Sequence, residues 1–324
     1  MMRHSELRAI GNTGVNVSRL GLGSAPVSGL FNKVAEKDAD ALILETLDSG
    51  ISYIDTAPFY GYGVGEIRVG RGVKLSSHNP TISTKVGRLF RPGKNIDFDK
   101  FPDADPNLEA YFDYSPAGIR KSLEDSLTRL GRDSVEIVYI HDADALIREA
   151  IDVVYPVLHA MRDEGLLKAI GIGMNWCPTS IAIMKETDLD IALIAGRFTL
   201  LDQSAQEELY PLALKKNVSI VAAGVYNSGV LVNPVDGARF DYEPASQEIL
   251  NKARAIKAFL AKYDVELPAA ALQFPLRHPA VASVLTGAGT LAELRANIAY
   301  FDTELPPELW ADMEREGLIP SINV

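Results

Sequence analysis

A single cysteine, Cys177, occurs among 324 residues, so the chain can form no internal disulfide and must be held by packing. It adjoins Pro178 where a helix is expected to start, which suits a structural thiol better than a nucleophile. Long apolar runs are missing too. Nothing approaches the roughly eighteen consecutive apolar residues of a membrane helix, and Met1-Met-Arg-His-Ser-Glu6 has none of a signal peptide's apolar core. The expectation is a cytoplasmic protein with no membrane partner. Positive charge is in deficit: 32 Lys and Arg against 43 Asp and Glu leave a net charge of -11. That balance argues against nucleic acid as a partner. No G-x-G-x-x-G run and no P-loop occur, so two familiar glycine-rich phosphate cradles are absent. The five histidines lack metal-site spacing, and no metal is expected.

What is there is an ordinary globular composition, 47% hydrophobic and 23% charged, with apolar mass for a large core. The length would allow two domains, but α/β barrels of this size are commonly one, and a single domain over residues 1–324 is expected. Apolar strand-like runs recur near 18–22, 51–55, 80–85, 135–141, 168–173, 190–195, 218–223 and 281–286. Helix-period segments lie between them at 36–49, 64–74, 116–130, 150–165, 178–187, 204–216 and 246–263, with further ones at 290–300 and 306–317. Eight short strands alternating with amphipathic helices predict parallel pairing and a closed (β/α)8 TIM barrel. Two glycine-centred turns between Leu7 and Leu20 predict an N-terminal β-hairpin. Boundary chemistry agrees: Ser115-Pro116 opens one helix and Gly131 closes it, and Thr290-Leu-Ala-Glu293 is a capping-box pattern. Gly87 to Asp113 and Tyr226 to Pro244 are too long for plain barrel turns. The first is expected to wall a substrate pocket with Phe90, Phe101 and Tyr111 to Tyr114, the second to cover a cofactor.

The run Ile51-Ser-Tyr-Ile-Asp-Thr-Ala-Pro-Phe-Tyr60 concentrates the chemistry. A short strand ends in Asp55, Pro58 stops it, and the phenol Tyr60 stands just beyond. Two later strands end in Lys85 and His141. Each polar end alone reads as a cap or a solvated rim. Four on neighbouring strands of a closed barrel would converge. There, Lys85 beside Tyr60 would favour phenolate, lowering a pKa of about 10 toward about 7 at a cost of roughly 4 kcal/mol. Asp55 would keep Lys85 charged, Tyr60 would be the acid or base, and His141 would hold the reacting oxygen.

Asp55-Thr-Ala-x-x-Tyr60, Ser83-Thr-Lys85-Val-Gly and the strand ending at His141 resemble the aldo-keto reductases, whose signature is an Asp, Tyr, Lys, His tetrad. The resemblance runs from Leu20-Gly-Leu-Gly23 to Asn297. Ala169-Ile-Gly-Ile-Gly-Met-Asn175, Ala195-Gly-Arg-Phe-Thr-Leu-Leu-Asp202 and Pro268-Ala-Ala-Ala-Leu-Gln-Phe-Pro-Leu276 resemble its threo-aldose, L-fucose and L-galactose 1-dehydrogenase branch. The resemblance implies a nicotinamide cofactor, with Gly23 and Ser24 near the nicotinamide and Asn175 on its carboxamide. It implies Asn227, Ser228 and Gly229 at the pyrophosphate. Gly287, Ala288, Gly289 and Thr290, leading into a helix start, are the phosphate-cradling alternative to the absent motifs. Asn297 falls near the adenine. Where the family commonly has an arginine for the 2′-phosphate of NADP, this chain has Gly289, which favours NAD over NADP. Glu293 fits either as a contact to adenosine hydroxyls that repels a 2′-phosphate or as the capping-box acid.

The reading is an NAD(P)-dependent oxidoreductase acting on a small molecule. It would oxidise the anomeric carbon of an aldose such as L-fucose or L-galactose to the lactone, with hydride passing to NAD. The rivals are a reductase of small aldehydes, a dehydrogenase of pyridoxal's hemiacetal, and a catalytically silent cofactor-binding subunit. Oligomeric state is not legible.

Overall fold

The structure, a computed structural model, describes residues 3–322. Two strands, β1 (Leu7–Ile10) and β2 (Val15–Ser18), pair as an antiparallel hairpin. The barrel staves are β3 (Leu20–Gly23), β4 (Tyr53–Asp55), β5 (Thr81–Val86), β8 (Ile137–His141), β9 (Ala169–Met174), β10 (Ile191–Ala195), β11 (Ser219–Ala223) and β14 (Val281–Gly287). They pair in parallel and in sequence order, and β14 returns to β3 to close the barrel. The long connections carry the remaining strands. β6 (Arg88–Pro92) and β7 (Leu108–Phe112) form one antiparallel ribbon, and β12 (Arg239–Phe240) and β13 (Glu243–Pro244) another.

Side chains alternate along a strand, so residues two apart share a face. Ile54, Ile82, Val138, Ile140 and Ile172 point outward into the main apolar core beneath the helices. Inside, Tyr53 and Tyr139 join Leu193, Val221 and Leu285, with Ile10, Val15 and Val17 of the hairpin packed into the same cluster. The hairpin thus plugs one end. Two glycines make room for these rings: a Cβ at Gly21 would lie 2.6 Å from the Tyr53 ring, and one at Gly171 would lie 2.7 Å from that of Tyr139.

Helices α1 (Glu36–Asp48), α2 (Val64–Leu75) and α3 (Pro116–Leu130) follow expectation. Ser115 Oγ accepts from the Gly118 N–H and Gly131 caps α3 in the left-handed region. The helix expected over 150–165 begins earlier: α4 (Ile147–Glu149) leads through a π turn, Ala150–Val154, into α5 (Tyr155–Asp163). The widened turn sits just before Pro156, which has no N–H for the regular ladder. Then come α6 (Cys177–Glu186), α7 (Leu209–Lys216) and α8 (Gln247–Leu260). α7 starts later than expected, because Ser204–Gln206 is a separate 3-10 turn. α9 (Leu267–Gln273) escaped the sequence pattern because Leu267 through Leu272 are all buried, leaving no polar face to mark a period. α10 (Leu291–Asp302) and α11 (Leu309–Arg315) complete the chain. No helix among the described residues is long and apolar enough to cross a membrane.

Candidate active site

Above the plugged end lies a cavity of about 700 Å³, at the carboxyl ends of the staves where barrel enzymes build their sites. Asp55, Tyr60, Lys85 and His141 all line it. Lys85 and Asp55 are each 1% exposed, and Lys85 Nζ donates to Asp55 Oδ2 at 2.7 Å and to the Thr56 carbonyl at 2.8 Å. An ammonium in a barrel core is tolerable only when paired and hydrogen-bonded in this way.

Tyr60 differs from expectation. Lys85 Nζ stands over its ring, 4.6 Å from the centre, and its hydrogen bonds go to Asp55 and Thr56, not to the phenol. Burial pushes the Tyr60 pKa well above 10; the Asp55, Tyr242 and Asp142 side chains add to this, and Arg88 opposes it. A cation over the ring does not offset the loss of water. The resting phenol is therefore protonated.

His141 meets Tyr60 edge to face with ring centres 6.3 Å apart. Burial drives its pKa down to about 3; the Asp142 carboxylate opposes this while Lys85 and Arg88 reinforce it. The imidazole is neutral, with Nδ1 buried and unpartnered and Nε2 3.5 Å from Asp142 Oδ2. The Tyr114 hydroxyl donates to the His141 carbonyl at 2.9 Å and fixes the strand end. Gly87, at φ +111°, leaves space for that ring, since a Cβ there would lie 2.4 Å from Tyr114.

The first long loop walls the cavity with fewer aromatics than expected. Phe101 lines it with Lys100, and Phe31 and Phe59 come from other loops. Phe90 stacks on Tyr62 instead, with ring centres 5.3 Å apart, and the Arg88 guanidinium lies 4.3 Å from the Phe112 ring centre and 4.2 Å from that of Phe59.

Gly23, Asn175 and Gly287 line the opposite flank. Ser24 Oγ and Asn227 Oδ1 are buried without partners but do not line the cavity. Asn227, Ser228 and Gly229 are consecutive left-handed residues, at φ 45°, 57° and 98°. Thr290 caps α10, accepting from the Glu293 N–H at 3.2 Å, while Glu293 Oε2 accepts from the Gly289 N–H at 2.7 Å. The capping box is thus shifted back by one residue. Ala288 is buried. Asn297 is held inside the protein, accepting from the Tyr226 hydroxyl at 2.9 Å and donating to the Thr286 hydroxyl and Gly287 carbonyl. Arg295 is engaged with Glu45 on α1.

The second long loop folds over the mouth, where Arg239, Asp241, Tyr242 and Glu243 line the cavity. Asp241 and Tyr242 both take positive φ, 50° and 68°, the conformation of a type I′ hairpin turn that Asn-Gly would signal in sequence. Arg197 holds it down, donating to Asp241 Oδ2 at 2.7 Å, Asp202 Oδ2 at 2.9 Å and the Asn175 carbonyl at 2.8 Å. Sequence reasoning missed Asp142, Phe31, Phe59, Arg197 and Tyr242. Asp142 alone carried a visible signal, as an acid directly after His141.

Bare backbone at Gly23, Gly173, Gly224 and Gly287 beside Asn175 fits the flat nicotinamide end of a dinucleotide. No cluster of His, Cys, Asp or Glu among the described residues could hold a metal ion.

Residues 19–316 match the Aldo/keto reductase family, and the chain belongs to it. Its members are NAD(P)H-dependent oxidoreductases acting on small molecules. It is 39% identical to a pyridoxal 4-dehydrogenase of Microbacterium luteolum, covering 98% of this chain and 99% of that protein. A D-threo-aldose 1-dehydrogenase of Pseudomonas sp is 37% identical, over 95% and 96% of the two chains. A solved aldo-keto reductase from Bacillus halodurans superposes with a TM-score of 0.79 at 24% identity, covering 100% of this chain and 98% of that one, a likeness of fold.

Proposed function

We propose that the protein oxidises the anomeric carbon of a cyclic aldose hemiacetal to the lactone, with NAD preferred. The observation that carries this reading is Tyr60: it lines the cavity, its hydroxyl has no hydrogen bond to any described residue, and His141 and the Lys85–Asp55 pair surround it. A bound nicotinamide dinucleotide supplies the hydride acceptor. Tyr60, having first given up its own proton, takes that of the anomeric hydroxyl, and Lys85 above its ring stabilises the phenolate from which that transfer starts. The neutral His141 donates to the same oxygen and orients the substrate. Gly23, Ser24, Asn175, Asn227, Ser228, Gly229, Gly287, Ala288, Gly289 and Thr290 flank the dinucleotide. The NAD preference is supported by Glu293, whose carboxylate fills the anion position at Gly289, and by Arg295 facing away. Asn297 contributes by shaping the adenine end, because its own polar groups are engaged. A cytoplasmic setting goes with this reading.

A second substrate, pyridoxal as its cyclic hemiacetal, is favoured by the aromatic wall of Phe31, Phe59 and Phe101 and by the relative named for pyridoxal. Both substrates are cyclic hemiacetals and leave as lactones, so the chemistry is shared. Reduced-nicotinamide absorbance with L-fucose, L-galactose, D-arabinose and pyridoxal, each with NAD and NADP, separates them. Tyr60→Phe should bind NAD normally and lose about 100- to 10,000-fold in turnover. Full activity in that variant would sink the reading.

A further inference from the structure

Directly beneath the three site residues carried on staves, each two positions earlier on the same strand, stands a hydroxyl: Tyr53 below Asp55, Ser83 below Lys85 and Tyr139 below His141. All three are completely buried. Ser83 Oγ donates to Asp55 Oδ1 at 2.7 Å, the Tyr53 and Ser83 oxygens are 3.1 Å apart, and those of Tyr53 and Tyr139 are 3.0 Å apart.

Donor counting gives this chain a direction. An ionised carboxylate only accepts, so the single Ser83 proton goes to Asp55. Ser83 must then accept from Tyr53, and Tyr53 from Tyr139. Three O–H dipoles align head to tail and end on the carboxylate whose other oxygen holds Lys85. Aligned hydrogen bonds in a dry core polarise one another. Burial holds both phenols far above their ordinary pKa, so neither ceases to be a donor.

We propose that Ser83, Tyr53 and Tyr139 are positioning residues, a one-way hydroxyl chain that fixes the Asp55 carboxylate and, through it, the place of Lys85 against Tyr60. Asp55 is then oriented from below and Lys85 from the side, and neither is free to turn toward substrate. This rests on the reading of Tyr60 and Lys85 as the proton-transfer pair, so the comparison is made on whichever substrate the native enzyme turns over.

Ser83→Ala removes the last donor and should lower kcat about 10- to 100-fold, the usual effect of losing a hydrogen bond to a charged group. Its dissociation constant for NAD, read by fluorescence titration, should stay within about twofold. Ser83→Thr restores the hydroxyl and should recover most of the rate. Tyr53→Phe and Tyr139→Phe keep the rings, guard against a Ser83 variant that fails to fold, and should lose successively less. A structural role would also slow Ser83→Ala, so the deciding readout is a double-mutant cycle. In an Asp55→Asn background the Ser83→Ala change should leave residual kcat unaltered, because the chain acts only through that carboxylate. Full additivity there, or an unchanged kcat in Ser83→Ala, overturns the chain while a dead Tyr60→Phe leaves the function intact. An active Tyr60→Phe would overturn the function instead.

Discussion

The two flanks of the cavity are built on different principles. On the β4, β5 and β8 side the working groups are packed side chains at and just past strand ends, a satisfied Lys85–Asp55 ion pair beside a neutral His141 and the Tyr60 phenol. On the β11 and β14 side they are backbone groups, small residues and left-handed turns, with Gly224 and Gly287 at the cavity wall. The first flank makes a fixed electrostatic environment at one point. The second leaves room and bare backbone along a groove. A reaction needs the first and an extended ligand needs the second.

The sharpest way to break that contrast is Lys85→Met, which strands Asp55 in the core. Loss of one partner of a buried pair costs about 3–5 kcal/mol of stability, and turnover should fall at least about 1,000-fold; urea unfolding and steady-state rates check both. His141 comes next. Its folded pKa of about 3 lies below the ordinary 6.5, so the unfolded chain takes up a proton that the folded one refuses. Stability fully present above pH 6.5 is therefore lost as pH falls toward 3, by up to about 1.4 kcal/mol per unit. His141→Gln should flatten that fall in unfolding curves measured between pH 7 and pH 4.

On the other flank the effects should be smaller and appear in binding. Arg197→Met frees the hairpin turn at Asp241 and should raise the KM for NAD about tenfold with little change in kcat. The smallest change is a switch of preference. A Cβ at Gly289 would meet only ordinary contacts, 3.6 Å from Pro26 and Glu293, so Gly289→Arg combined with Glu293→Gln fits and should improve the NADP to NAD ratio about tenfold. A pH profile sharpens the first flank again. Because the Tyr60 phenol starts protonated, oxidation should speed up with rising pH through the alkaline range without levelling below pH 9.

The same division explains what was legible in sequence. Strand ends announce themselves: an apolar run stops, and Asp55, Lys85 or His141 stands at the stop. The eight staves were readable because each buried strand is flanked by a helix with a polar face. α9 has no such face and could not be seen. Tyr242 and Asp241 were invisible for another reason, since neither residue type signals the left-handed turn they adopt. Burial outweighing Lys85 at Tyr60 is a property of the assembled cavity, which no local stretch encodes. The glycine and asparagine positions of the second flank carried meaning only through family resemblance, because a bare backbone leaves little mark on composition.

Joining β14 to β3 also decides how the protein should fail. A sheet without a first or last strand offers no row of idle amides to a neighbouring chain. Among the described residues, free strand edges belong only to the three small ribbons, and two of these carry proline, at Pro92 and Pro244. Clumping on heating should therefore wait for a stave to rupture, with turbidity trailing the loss of near-ultraviolet dichroism.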